Sequence, residues 1–222
     1  MMYKNTIFDE MTHHQTTSYP VTEERFNVVS HALGFVLSVL ATGLMLAKAD
    51  NRISILSSLV FGSSMMLLYA ASTLYHNSTV PKIRNRLNIL DHAAIYVLIA
   101  GTYTPFSLIT LKGNTGIILL SAVWIFTLTG VILKLWFTGK YDRLSTLMYL
   151  FMGWMVLFAI KPLLINLAAH GLYWLLAGGV SYTVGALFYS IQTSIKYNHA
   201  IFHVLVLLGS LCHFISIYYW VL

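Results

Sequence analysis

The chain has 222 residues, of which 58% are hydrophobic and only 9% charged, with a mean hydropathy of +0.74 and a net charge of +6. A soluble domain carries about 45–50% apolar and about 25% charged residues, and a chain of this size has too little interior to hide the surplus from water. The composition excludes an ordinary soluble enzyme, a disordered protein and a nucleic-acid binder, because the cations are scattered through short connectors rather than gathered into a phosphate-binding patch.

Residues 1–26 read as a polar tail carrying Asp9, Glu10, His13, His14, Glu23 and Glu24, with a short amphipathic lead-in at Glu23–Asn27. The tail lacks the basic-then-apolar pattern of a cleavable signal peptide. Residues 27–222 read as one membrane domain. A helix needs about 20 apolar residues to cross the hydrocarbon core, and seven stretches qualify: Val28–Ala47, Ile53–Tyr75, Ile89–Leu111, Thr115–Phe137, Leu144–Leu164, Leu172–Ile191 and Ala200–Leu222. The predicted fold class is all-α, a polytopic seven-helix bundle. Gly101 and Pro105 permit a kink in the third span. Gly178, Gly179, Ser181 and Gly185 let the sixth approach a neighbour closely, and Tyr218, Tyr219 and Trp220 read as an interfacial belt. The single cysteine, Cys212, excludes an intramolecular disulfide.

With seven spans, the tail and the second, fourth and sixth connectors share one side of the membrane. That side holds Lys4, Arg25, Lys82, Arg84, Arg86, Lys134, Lys140, Arg143 and Lys196, against Lys48, Arg52, Lys112 and Lys161 on the other. The positive-inside rule then predicts a cytoplasmic amino terminus and an external carboxyl terminus in a cell membrane.

Ionisable groups within spans cost at least about 2.5 kcal/mol each on insertion scales and are functional suspects by default. After Asp50 the chain holds only two carboxylates, Asp91 and Asp142, and Asp142 belongs to the polar connector Gly139–Arg143. Asp91 is either a helix-start acid favoured by the macrodipole or a functional group. His76 closes the second span; His199 and His203 open the seventh one turn apart, so they point the same way. All four residues fall at the cytoplasmic ends of their spans. Three imidazoles make a three-nitrogen site with an open fourth position, the arrangement of catalytic rather than structural zinc. Asp91 is then a fourth ligand, or a neighbour that holds water and acts as general base. Ser72, one turn before His76, either bonds back to its own helix or hydrogen-bonds the water or an oxyanion. Among the remaining histidines, His92 reads as a packing or supporting group and His170 as solvated. His213 lies about 15 Å beyond His203, too far to share a metal, and is placed to hydrogen-bond across the bundle. His31 shares a stripe with Glu24 and Asn27 and reads as a polar helix contact or a participant in the site.

The ordered elements Glu24-x-x-Asn27-x-x-x-His31, Ser72-x-x-x-His76, Leu90-Asp91 with Gly101-Thr102-Tyr103-Thr104-Pro105, and His199-x-x-x-His203 with His213-Phe214 resemble the bacterial hemolysin III family, a branch of the progestin and adiponectin receptor superfamily. The resemblance spans the chain beyond the tail. It implies a seven-helix bundle with Zn2+ near the cytoplasmic face, held by His76, His199 and His203, with Asp91 reaching it through water and Ser72 at the family's serine. Hydrolysis of lipid amides or esters in membrane lipid homeostasis is the activity it implies, with membrane lipids as partners and no soluble protein or nucleic acid. A non-enzymatic sensor with a structural zinc is the competing reading. A secreted cytolysin conflicts with seven uninterrupted spans, and a transporter has thin support from one intramembrane carboxylate and no internal repeat.

Overall fold

The computed structural model describes residues 19–137, 141–190 and 195–222. Lys4, Asp9, Glu10, His13, His14 and Lys140 lie outside the described residues, as does part of the Gly139–Arg143 connector. The described residues are mostly helical, with no strand among them, and contain seven helices long and apolar enough to cross a membrane. The α-helices of these seven spans are α1 (Val21–Lys48), α2 (Arg52–Asn77), α3 (Pro81–Pro105, continued by a π-helical turn at Phe106–Leu111), α4 (Gly113–Phe137), α5 (Asp142–Trp154), α6 (Ile160–Asn166), α7 (Ala169–Ser190) and α8 (Asn198–Trp220), eight in all because the fifth span holds two. The fifth span combines α5 and α6 through a 3-10 turn, Met155–Ala159.

The outer surface is apolar, and the interior mixes apolar side chains such as Phe61, Met65 and Leu68 with small polar ones. Ile117, Ile118, Ile125 and Leu128 of α4 face outward, whereas Ser54, Ser57, Ser58, Ser64 and Ser72 line the buried face of α2. Small residues set the helix spacing. A Cβ on Gly62 would meet Thr42 Oγ1 at 2.1 Å, and one on Gly101 would meet Ser64 Oγ at 2.1 Å, so α1, α2 and α3 approach almost backbone to backbone. Gly178 does the same for the sixth span, where a Cβ would meet the His213 ring at 2.7 Å; Gly179 faces open space apart from Trp154. The third span is the most enclosed of the seven, and α8 returns to pack against α1 and α7.

Three boundaries differ from the sequence reading. α1 starts at Val21, so residues 21–26 belong to the first helix rather than to a separate tail, and Glu23 and Asn27 are buried. α3 starts at Pro81, eight residues before the apolar stretch, with proline in the first turn where its missing N–H costs nothing. The fifth span is broken in its middle. There the Tyr103 hydroxyl, 2.9 Å from the carbonyl oxygens of Met152 and Gly153, accepts the Val156 N–H at 2.8 Å and satisfies backbone groups that the break releases. Pro105 lies at the end of α3, and the span continues beyond it as the π-helical turn Phe106–Leu111.

Candidate metal centre

The first and last helices converge with α2 at one end of the bundle, and the histidines meet there. His76 sits in the last turn of α2; His199 and His203 occupy the first two turns of α8. His199 Nε2 lies 3.2 Å from His76 Nε2 and 3.1 Å from His203 Nε2. The three donor atoms all fall within 4.8 Å of one another, and all three residues are buried. Ligands arranged tetrahedrally around zinc at the usual bond length stand about 3.3 Å apart, so the spacing fits a small cation.

The chemistry of the rings supports the same fit. His76 Nδ1 is 2.6 Å from Oε2 of Glu24. A carboxylate only accepts, so a neutral His76 carries its proton on Nδ1 and turns the lone pair on Nε2 toward the cluster. His203 Nδ1 faces Ser30 Oγ at 3.5 Å and the Asn27 backbone, again leaving Nε2 free. Lone pairs converging at this distance repel one another unless a cation or shared protons lie between them. The Asn27 amide nitrogen lies 3.4 Å from His76 Nδ1 while its own carbonyl oxygen is unpaired among the described residues. With the amide turned over, that oxygen would become a second acceptor for the imidazole N–H.

The entry to α8 is fixed from α1. Tyr197 takes a left-handed conformation, φ 62°, and offers no side-chain cap. Glu23 supplies one from across the bundle, accepting the His199 backbone N–H at 3.1 Å and placing a negative charge at the helix amino terminus.

Asp91 and Ser72 adjoin the triad without joining it. Asp91 is buried, is not among the donors within 4.8 Å of one another, and faces both His76 and the Ser72 hydroxyl. This placement suits a carboxylate that reaches an ion through an intervening molecule better than a direct ligand. His31 stacks on His203 with ring centroids 3.7 Å apart and 9° between planes, and both of its ring nitrogens are unpaired among the described residues. It is thus a polar contact between α1 and α8 that also borders the site. His92 lies with Nδ1 3.4 Å from Lys134 Nζ and Nε2 3.4 Å from the Tyr189 hydroxyl, in a supporting position. His170 is exposed but lies in the first turn of α7. His213 is buried against Gly178, and its Nδ1 has no hydrogen-bond partner among the described residues, so the expected bond across the bundle is absent at that nitrogen.

Tyr19 has no counterpart in the sequence reading. Its ring stacks on His199 at 4.5 Å and 17°, and burial raises its phenol above the ordinary value, so it covers the triad as a neutral hydroxyl. Nothing in a lone tyrosine beside Pro20 signals this position.

The site opens into a cavity of about 990 Å³, lined at one end by Ser72, Asp91, His199 and His203 and further along by Ile95, Leu98, Phe106, Leu163, Leu172 and Val206. That volume is at the upper end of the range for pockets that enclose small molecules.

Fold and site together define a multi-pass membrane protein with a buried triple-histidine cluster at one end of a seven-helix bundle. Residues 19–214 match the Haemolysin-III related family, and the chain belongs to it. It is 44% identical to "Hemolysin-3" of Bacillus cereus over 91% of this chain and 93% of that protein. It is 43% identical to "Hemolysin-3 homolog" of Bacillus subtilis (strain 168), over 91% and 96%. A more distant relative is the human "Monocyte to macrophage differentiation factor", 24% identical over 98% of this chain and 94% of that one.

Proposed function

We propose that this protein is a zinc-dependent hydrolase of lipid amides or esters that draws its substrate from the inner leaflet, with its amino terminus in the cytoplasm. The observation that carries the reading is the large, mainly apolar cavity that His199 and His203 of the triad line together with Asp91 and Ser72. A structural zinc site is closed by a fourth protein ligand, and the cluster of donors within 4.8 Å of one another among the described residues holds three.

His76, His199 and His203 would hold the ion, which when bound supplies a Lewis acid that polarises a carbonyl and acidifies water. Asp91 accepts the proton of the attacking water at a carboxylate oxygen and returns it to the leaving nitrogen or oxygen as the acyl bond breaks. The Ser72 hydroxyl donates its one hydrogen to Asp91 and orients that carboxylate; once Asp91 has taken up the proton, that hydrogen is free to turn to the oxygen on which negative charge develops. Ile95, Leu98 and Phe106 take up the acyl chain and keep bulk water from the reacting carbonyl.

Purified protein in mixed micelles is expected to contain one zinc per chain and to release fatty acid from N-acyl amides or acyl esters. His203→Ala should weaken zinc binding about a hundredfold or more, lower the zinc content of the purified protein and abolish turnover. Zinc at full stoichiometry without cleavage of either lipid class would leave a structural zinc in a non-enzymatic membrane protein and overturn the hydrolase reading.

A further inference from the structure

The three converging nitrogens belong to α2 and α8, yet the groups that orient them come from elsewhere. Glu24, in the first turn of α1, is held at both oxygens. Oε2 lies 2.6 Å from His76 Nδ1, and Oε1 accepts a hydrogen bond from Nη2 of Arg84. Arg84 in turn is tied to the end of α2. Its Nη1 donates to the carbonyls of Tyr75 at 3.3 Å and Ser78 at 3.2 Å, and its guanidinium lies 4.6 Å from the centre of the Tyr75 ring. The carboxylate is thus gripped between the start of α3 and the imidazole that closes α2.

Oε2 contacts the nitrogen on the far side of the His76 ring from Nε2, so Glu24 does not share in the 4.8 Å cluster as a donor. Its role is exerted through the ring. A carboxylate on the remote N–H of a metal-binding histidine fixes the tautomer, locks the rotation of the ring and makes the other nitrogen more basic, and loss of such a partner costs 10–100-fold in metal affinity. We propose that Glu24 is a positioning residue of the metal centre, presenting Nε2 of His76 to the ion, and that Arg84 holds the Glu24 carboxylate in register. This rests on the reading that the triad holds a metal.

The test uses the full chain with Glu24→Ala and Glu24→Gln, and three measurements: zinc affinity by competition with a chromophoric chelator, the visible absorption of the cobalt(II)-loaded protein, and the thermal midpoint of the metal-free protein. Glu24→Ala is expected to weaken zinc binding about 10–100-fold and to shift or lose the cobalt bands. Glu24→Gln keeps an acceptor oxygen without the charge and is expected to fall between Glu24→Ala and wild type. If Glu24→Ala fails to fold, the glutamine variant carries the same comparison. Wild-type zinc affinity and cobalt bands in the folded variants would overturn the proposal while leaving the metal site standing. If wild type binds neither metal, the metal centre itself falls, and this inference with it.

Discussion

Replacing His203 with alanine removes one of three donors whose nitrogens stand 3.1–3.2 Å from that of His199 in the middle. Four-ligand zinc sites contribute about 10–16 kcal/mol in all, or about 2.5–4 kcal/mol per ligand. The substitution should therefore weaken zinc binding about a hundredfold to a thousandfold. At a free zinc concentration a thousand times the wild-type Kd, ligation stabilises the wild type by about 4 kcal/mol. The variant would then sit at about one to ten times its own Kd and gain only about 0.4–1.4 kcal/mol. For a chain of this length each kcal/mol moves the midpoint by about 2–4 °C, so zinc should raise the wild-type Tm by about 8–16 °C and the variant's by a third of that or less. The assay is thermal melting of each protein with and without zinc. Because each protein is compared with itself, the packing lost when the imidazole leaves its stack on His31 cancels. Equal zinc-induced increments in the two proteins would refute the assignment of His203 as a ligand.

Asp91→Asn should abolish lipid cleavage while leaving one zinc per chain, as read by metal analysis beside turnover, because Asp91 lies outside the donor cluster. Gly101→Ala should destabilise the bundle by about 1–3 kcal/mol, since its Cβ would lie 2.1 Å from Ser64 Oγ and 3.3 Å from the Val60 carbonyl; adding Ser64→Ala should recover part of the loss in thermal melting. Ser210→Ala should cost about 1–2 kcal/mol by the same measure, because the Tyr69 hydroxyl donates to Ser210 Oγ at 2.6 Å and the Tyr182 hydroxyl shares that oxygen at 2.8 Å. A cysteine introduced at Pro20 in a Cys212→Ser background should react with a membrane-impermeant thiol reagent only after cells are opened; labelling of intact cells would reverse the predicted orientation.

The seven spans were legible because a bilayer demands long apolar runs, and hydropathy registers them directly. The same measure truncated the third. Residues Pro81–Asn88 carry Lys82, Arg84 and Arg86 and so fall outside any apolar window, yet these three and Leu87 favour helix behind an initiating proline. The break at Met155–Ala159 was invisible because its compensation, the Tyr103 hydroxyl, comes from another helix. In the site, the juxtaposition of His199 and His203 followed from one turn of helix, and Asp91 was conspicuous for want of other carboxylates. Glu24 was seen only as part of a stripe. Its partner His76 is 52 residues away, and no periodicity within α1 reports which ring it will touch. The stacking of Tyr19 and His31 on the triad likewise depends on how helices cross, which composition does not encode.

The nitrogens that converge at the cytoplasmic-facing end of the proposed topology are supplied by residues 123 positions apart, with α8 made after the six other described spans. A ribosome that has delivered six spans has therefore delivered only one of the three donors. An ion held by all three is acquired only after residue 203 has been made, and its uptake would report that α8 has docked against α1 and α2. Nascent chains arrested before residue 199 would be inserted but unable to take up the ion, which separates insertion from maturation in this protein.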